Sequence, residues 1–150
     1  MADIYALDTN VYVNALRNAD RLAKLKRFLM RAGTRLRVHA VVALELRAGA
    51  RTPAHDDAVA RLLSPYAERE RVVVPSFDAF SQAGRVLAAL GVRERVVLAD
   101  APGSLTNDAV LAASCRETGV VLVTENHKDF AAIQRHLRGF RFADAESLLH

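Results

Sequence analysis

Val120-Val121-Leu122-Val123 is an uninterrupted apolar run held between Gly119 and Thr124. It is too short for a buried helix, and its lack of alternation rules out a strand with one face in water. A strand of this kind belongs in a sheet covered on both faces, which in practice means a largely parallel sheet. Three more segments are strand candidates: Asp3 to Leu7, Leu36 to His39, and Val72 to Val74 ended by Pro75. Phe140 to Phe142 reads as a short edge strand.

Between them lie stretches with helical spacing. Leu22, Leu25, Leu29 and Ala32 share one face, and Gly33 closes that helix. Val41 to Ala48 is stopped by Gly49, and Ala54 to Leu63 is entered through Pro53. Phe80, Ala83, Leu87 and Leu90 mark a helix ended by Gly91. After an irregular stretch from Asp100 to Ser104, another runs from near Leu105 to Thr118, and a last one from Phe130 to Leu137. Strands alternating with helices predict an α/β domain. In such sheets, ligands bind beyond the carboxyl ends of the strands.

Nothing in the 150 residues suggests a linker or a repeat, so one domain spanning 1–150 is expected. No apolar stretch approaches the roughly 20 residues that span a bilayer. Asp3 and Asp8 interrupt any signal-peptide pattern, and the sole cysteine, Cys115, reads as a buried thiol. A reducing, cytoplasmic location is the expectation. His39, His55, His127, His136 and His150 lack paired ligand spacing, which argues against structural zinc. His127, beside the acids described below, reads as a solvated loop residue. Neither GxxxxGK[ST] nor GxGxxG occurs.

The net charge is +4. The cations cluster: Arg17, Arg21, Lys24, Lys26, Arg27, Arg31, Arg35 and Arg37 face only Asp20 in the same stretch. Such a surface attracts a polyanion, and guanidinium groups match phosphate oxygens. A solvated helix face is the other reading. Arg17, Arg21, Lys24, Arg27 and Arg31 are the candidates for contact with a nucleic-acid backbone.

The acids are placed differently. Asp8 directly follows the first strand, and Glu45 sits on an otherwise apolar helix after the second. Asp108 is expected in the first turn of the helix beginning near Leu105, and Asp129 follows Thr124-Glu125-Asn126-His127-Lys128. Singly, Asp8 and Asp129 read as helix caps, Asp108 as a dipole-stabilised first-turn residue, and Glu45 as a surface residue. Together they converge on one edge of the sheet, where like charges raise one another's pKa unless a cation neutralises them. Oxygen donors suit Mg²⁺ or Mn²⁺. Such an ion assists phosphodiester hydrolysis by binding a phosphoryl oxygen, activating water and stabilising the leaving oxygen.

At these residues the chain resembles the PIN-domain family, in particular VapC-like toxins of toxin–antitoxin pairs. The likeness rests on Leu7-Asp8-Thr9-Asn10, Glu45, Thr106-Asn107-Asp108-Ala109-Val110-Leu111-Ala112-Ala113, and Thr124 to Phe130. It implies a three-layer α/β/α fold and a Mg²⁺- or Mn²⁺-dependent endoribonuclease. It also implies a homodimer and a small antitoxin inserted into the active-site groove. Asp8, Glu45 and Asp108 map onto the family's acidic triad. Asp129 and Asn126 compete for the fourth place, with Asp129 assigned the charge and Asn126 a polar support. Thr9, Asn10 and Thr124 are expected to hydrogen-bond the acids.

Rival chemistries fit less well. An aspartyl-nucleophile phosphatase presents DxD after the first strand, whereas Asn10 stands two beyond Asp8. A phosphoacceptor receiver wants an acid after its middle strand, where this chain has Pro75-Ser76. An RNA-processing nuclease without an antitoxin, or a non-catalytic binding module, remains an alternative. A pure binder, however, gains nothing from clustered carboxylates.

Overall fold

A computed structural model describes residues 2–93 and 103–150. Five strands, β1 (Ile4–Leu7), β2 (Leu36–His39), β3 (Val72–Val73), β4 (Val120–Thr124) and β5 (Phe142–Asp144), form one sheet in the order β3-β2-β1-β4-β5. Every pairing is parallel. The helices are α1 (Thr9–Arg17), α2 (Ala19–Ala32), α3 (Ala40–Gly49), α4 (Pro53–Glu68), α5 (Phe77–Arg93), α6 (Gly103–Thr118), α7 (His127–Gln134) and α8 (Ala145–Leu148). The chain builds outward from β1 to β3, then returns across the sheet to β4. Right-handed crossovers therefore put α1 to α4 on one face and α5 to α7 on the other. This is the three-layer α/β/α arrangement expected from the sequence.

The uniform apolarity of β4 has the expected cause: all five of its residues are buried. Leu122 and Val123 are sealed between the layers with Leu111, Phe130, Ile133 and Phe140. Each such side chain contributes about 2 kcal/mol through removal from water. Phe140 and Phe142 stack with centroids 5.8 Å apart and close the β5 side over Phe130.

Local chemistry sets most element ends. Gly33 (φ +54°) terminates α2, its N–H donating to the Leu29 carbonyl. Gly119 (φ +70°) turns the chain from α6 into β4. Thr52 caps α4, with Pro53 in its first turn. Several boundaries differ from the sequence reading. The α4 helix continues beyond Leu63 through Pro65, and α5 passes Gly91 to end at Arg93. The edge strand is Phe142–Asp144, because its pairing with β4 runs from Leu122↔Phe142 to Thr124↔Asp144. The α7 helix begins at His127 rather than Phe130, and α8 had no periodic signal to announce it. The expected irregular stretch from Asp100 to Ser104 lies largely outside the described residues, but Gly103 already belongs to α6.

Candidate active site

The switch between outward and returning crossovers lies between β1 and β4, and the carboxyl ends of these strands form the floor of the site. Their register runs from Ile4↔Val120 to Leu7↔Val123, and the Asp8 N–H extends the ladder by donating to the Val123 carbonyl at 2.8 Å. Asp8 and Thr124 are thereby held side by side.

Asp8 caps α1 and lies at the centre of the network. Its Oδ1 accepts from the Thr9 N–H at 2.8 Å, and its Oδ2 accepts from the Thr124 hydroxyl at 2.8 Å. Burial pushes its pKa up; the bonds from Thr124 and Thr9 oppose that shift, and the charge of Glu45 adds to it. Asp8 is therefore a helix cap and a member of the acidic cluster at once. Thr9 reaches the other way, its hydroxyl donating to Glu45 Oε1 at 2.9 Å. Glu45 is half-buried on α3.

Asp108 is the residue whose placement differs most from expectation. Because α6 starts at Gly103, Asp108 stands in the second turn, so the helix N-terminus does not account for it. Burial pushes its pKa up to about 8, reinforced by the charges of Asp8, Asp129 and Glu45 in that order. The other three acids expected from the sequence thus all bear on Asp108.

Asn126 and Asp129 are both brought in. Asn126 caps α7, its Oδ1 accepting from the Asp129 N–H, so Asp129 is a first-turn residue and not the cap. The Asn126 amide donates to Asp129 Oδ2 at 2.9 Å and lies 3.5 Å from Asp108 Oδ2. It bridges the two carboxylates. Asn10 ties down the same loop: its Oδ1 accepts from the Glu125 N–H at 3.2 Å, and its amide donates to the Thr124 hydroxyl at 3.4 Å.

The basic stretch is only partly free for a ligand. Arg21 pairs with Glu125 at 2.5 Å, Lys24 with Asp20 at 3.3 Å, and Arg31 donates to the carbonyls of Leu148 and His150. Arg17 and Arg27 are exposed, and Arg17 lines a cleft of about 640 Å³ with Asn14, Asn18, Arg21, Glu125, Asp144 and Glu146. The sequence reading did not single out Glu125, whose carboxylate accepts from both Arg21 and the Asn14 amide. A signal was present: Asn14 stands one turn after Asn10 on α1. His127, expected as a solvated loop residue, is exposed but begins α7, with its ring 5.4 Å from Phe142. Cys115 is a buried thiol, its pKa pushed up to about 12 by burial and by Asp8.

The donors here are oxygens, and the charge that raises the Asp108 pKa is what a hard divalent cation relieves. The residues present therefore fit such an ion. Among the described residues no three acids, histidines or cysteines close into a ready coordination cage.

The sequence model of the PIN domain matches residues 5–135. The chain belongs to the PIN-domain family. PIN domains are generally nucleases and generally use divalent metal ions. No curated relative matches the chain by sequence. Among solved structures, this PIN domain is similar to DNA-bound VapBC from Salmonella typhimurium, with a TM-score of 0.70, 21% identity, and coverage of 96% of this chain and 99% of that one. It is similar also to VapBC-1 from nontypeable Haemophilus influenzae (TM-score 0.67, 22% identity, 95% and 98% covered). The third is FitAcB from Neisseria gonorrhoeae (TM-score 0.68, 17% identity, 95% and 99% covered). These likenesses establish a shared fold.

Proposed function

We propose that this PIN domain is a Mg²⁺- or Mn²⁺-dependent endoribonuclease and the toxin of a toxin–antitoxin pair, with 1–150 forming one nuclease domain. The observation that carries the reading is the convergence of Asp8, Glu45 and Asp129 on the buried Asp108 at the carboxyl edge of the sheet, where burial first and then their charges lift its pKa to about 8. Isolated caps and surface acids would not do this. Asp8, Glu45, Asp108 and Asp129 are the residues that would hold the ion. When bound there, a divalent cation supplies Lewis-acid stabilisation of the phosphoryl group and increases the acidity of water.

The protein's own part is orientation. Thr124 and the Thr9 N–H hold Asp8, the Thr9 hydroxyl turns Glu45 toward the same centre, and Asn126 keeps Asp129 and Asp108 together. Arg17 and Arg27 are the exposed cations assigned to the RNA backbone, with Arg21, Lys24 and Arg31 contributing once their present partners are exchanged. A homodimer doubles this surface, and a small antitoxin occupies the groove. The likeness to VapBC and FitAB assemblies supports that partnership. The proposed setting is the cytoplasm, and no described helix is long and apolar enough to cross a membrane.

The test is incubation of purified protein with RNA in Mg²⁺, Mn²⁺ or EDTA, alongside Asp8→Asn. Cleavage that needs the cation and falls at least 100-fold in the variant is expected. Cleavage indifferent to both, or none under any condition, refutes the reading.

A further inference from the structure

His39 is wholly buried at the carboxyl end of β2, and nothing described so far uses it. It is the N-cap of α3: Nδ1 accepts from the Val41 N–H at 3.0 Å. That bond leaves Nδ1 without a proton, so the neutral ring carries its hydrogen on Nε2. Nε2 donates to the hydroxyl of Ser114, also wholly buried, on α6. The Ser114 hydroxyl in turn donates to the Val110 carbonyl at 2.7 Å. Every polar atom of the pair is thereby used. Burial holds the ring pKa down at about 4, which keeps the ring uncharged near neutrality, and the two hydrogen bonds select the tautomer.

We infer that His39 is a positioning residue: its ring clamps the start of the helix bearing Glu45 to the helix bearing Asp108, and so sets the spacing of those carboxylates. The inference rests on the proposed role of these acids. The lever arms match. Glu45 lies six residues beyond His39 on α3, and Asp108 six residues before Ser114 on α6. Each carboxylate thus stands about 9 Å along its helix from the clamp at a rise of 1.5 Å per residue. A tilt of about 10° at the clamp displaces a carboxylate by roughly 1.5 Å, enough to spoil a reaction geometry. The usual caps, Ser, Thr, Asp and Asn, would satisfy α3 but are too short to reach Ser114 from the same position. Imidazole has one at each end. A cap alone does not call for histidine; the link to α6 does.

The test compares Ser114→Ala, which keeps the cap and loses the link, with His39→Asn, which keeps a capping oxygen too short to bridge. Leu25→Ala, a core truncation on α2, controls for a general loss of stability. Calorimetric Mn²⁺ titration of folded protein is expected to give about tenfold weaker binding for the first two and unchanged binding for the third. Their kcat on RNA falls while KM stays within about twofold of the parent. Parental Mn²⁺ affinity in folded Ser114→Ala and His39→Asn overturns the inference. Imidazole ¹⁵N NMR of the parent protein gives an answer even if those variants do not fold. A neutral Nε2–H ring at pH 7 is expected, and an Nδ1–H or charged ring refutes the clamp. A parent protein that binds no Mn²⁺ refutes the proposed function instead, and the NMR still decides the clamp.

Discussion

At the scale of single residues, Asp108 and His39 pull stability in opposite directions with pH. The Asp108 pKa is raised in the folded state from 3.8 to about 8. Its protonated form contributes stability that is full below the unfolded value and disappears as pH rises through 8. Without metal, Asp108→Asn is expected to raise stability at pH 8 by about 2 kcal/mol, read by urea denaturation, while RNA cleavage drops at least 100-fold. Adding Mn²⁺ should stabilise the parent and have little effect on this variant. His39 works the other way, its folded pKa lowered from 6.5 to about 4. Stability tied to it is full above 6.5 and declines as pH falls toward 4, by about 3 kcal/mol in total. In the Asp108→Asn background that acid-side loss should remain, and replacing His39 with Asn should remove it. Asp8, Asp108 and Asp129 were legible one at a time from their places after strands and in helices. The coupling among them was not, because it depends on distances between segments as far apart as Asp8 and Asp129.

Elements carry a different kind of consequence. Asn126 starts α7 and bridges Asp129 to Asp108, so one side chain serves both the helix and the site. Asn126→Asp retains a capping oxygen but adds a fifth charge, whereas Asn126→Ala loses the cap and the bridge. The alanine variant is expected to lose about 1 kcal/mol of stability together with activity; the aspartate variant should keep the helix and bind Mn²⁺ more tightly. Thermal denaturation and metal titration of the pair separate the two duties. Gly119 offers a purely structural comparison. At φ +70° a Cβ meets nothing within 4 Å, so the penalty for Gly119→Ala is backbone strain alone. A loss of about 1 kcal/mol without change in metal affinity is expected.

For the whole molecule, the question is how a site rich in carboxylates attracts a polyanion. The net charge of +4 favours approach, but much of the basic stretch is occupied by internal partners. Arg17 on α1 and Arg27 on α2 are among its exposed cations. Reversing both to Glu should weaken RNA binding most at low salt and flatten the dependence of affinity on salt, with kcat at saturating RNA preserved. A salt slope equal to the parent's would remove these residues from the interface. At this scale the sequence reading was incomplete, since counting cations along the chain cannot reveal that Arg21 is engaged by Glu125 more than a hundred residues away.

Sequence by itself determined most of the elements and the edge at which the acids lie. Uniformly apolar strands such as β4 demand cover on both faces, and glycines at 33 and 119 end helices where a positive φ is required. Those signals are local, carried by period and by backbone conformation, so they survive without the fold. Only the tertiary structure decided which carboxylates share a field, which arginines are free, and that Asn126 and Asp129 act together. It alone also paired His39 with Ser114, 75 positions on. A buried imidazole and a cap are indistinguishable in one dimension, because what each nitrogen does is settled by the atom that the packed helices bring to it.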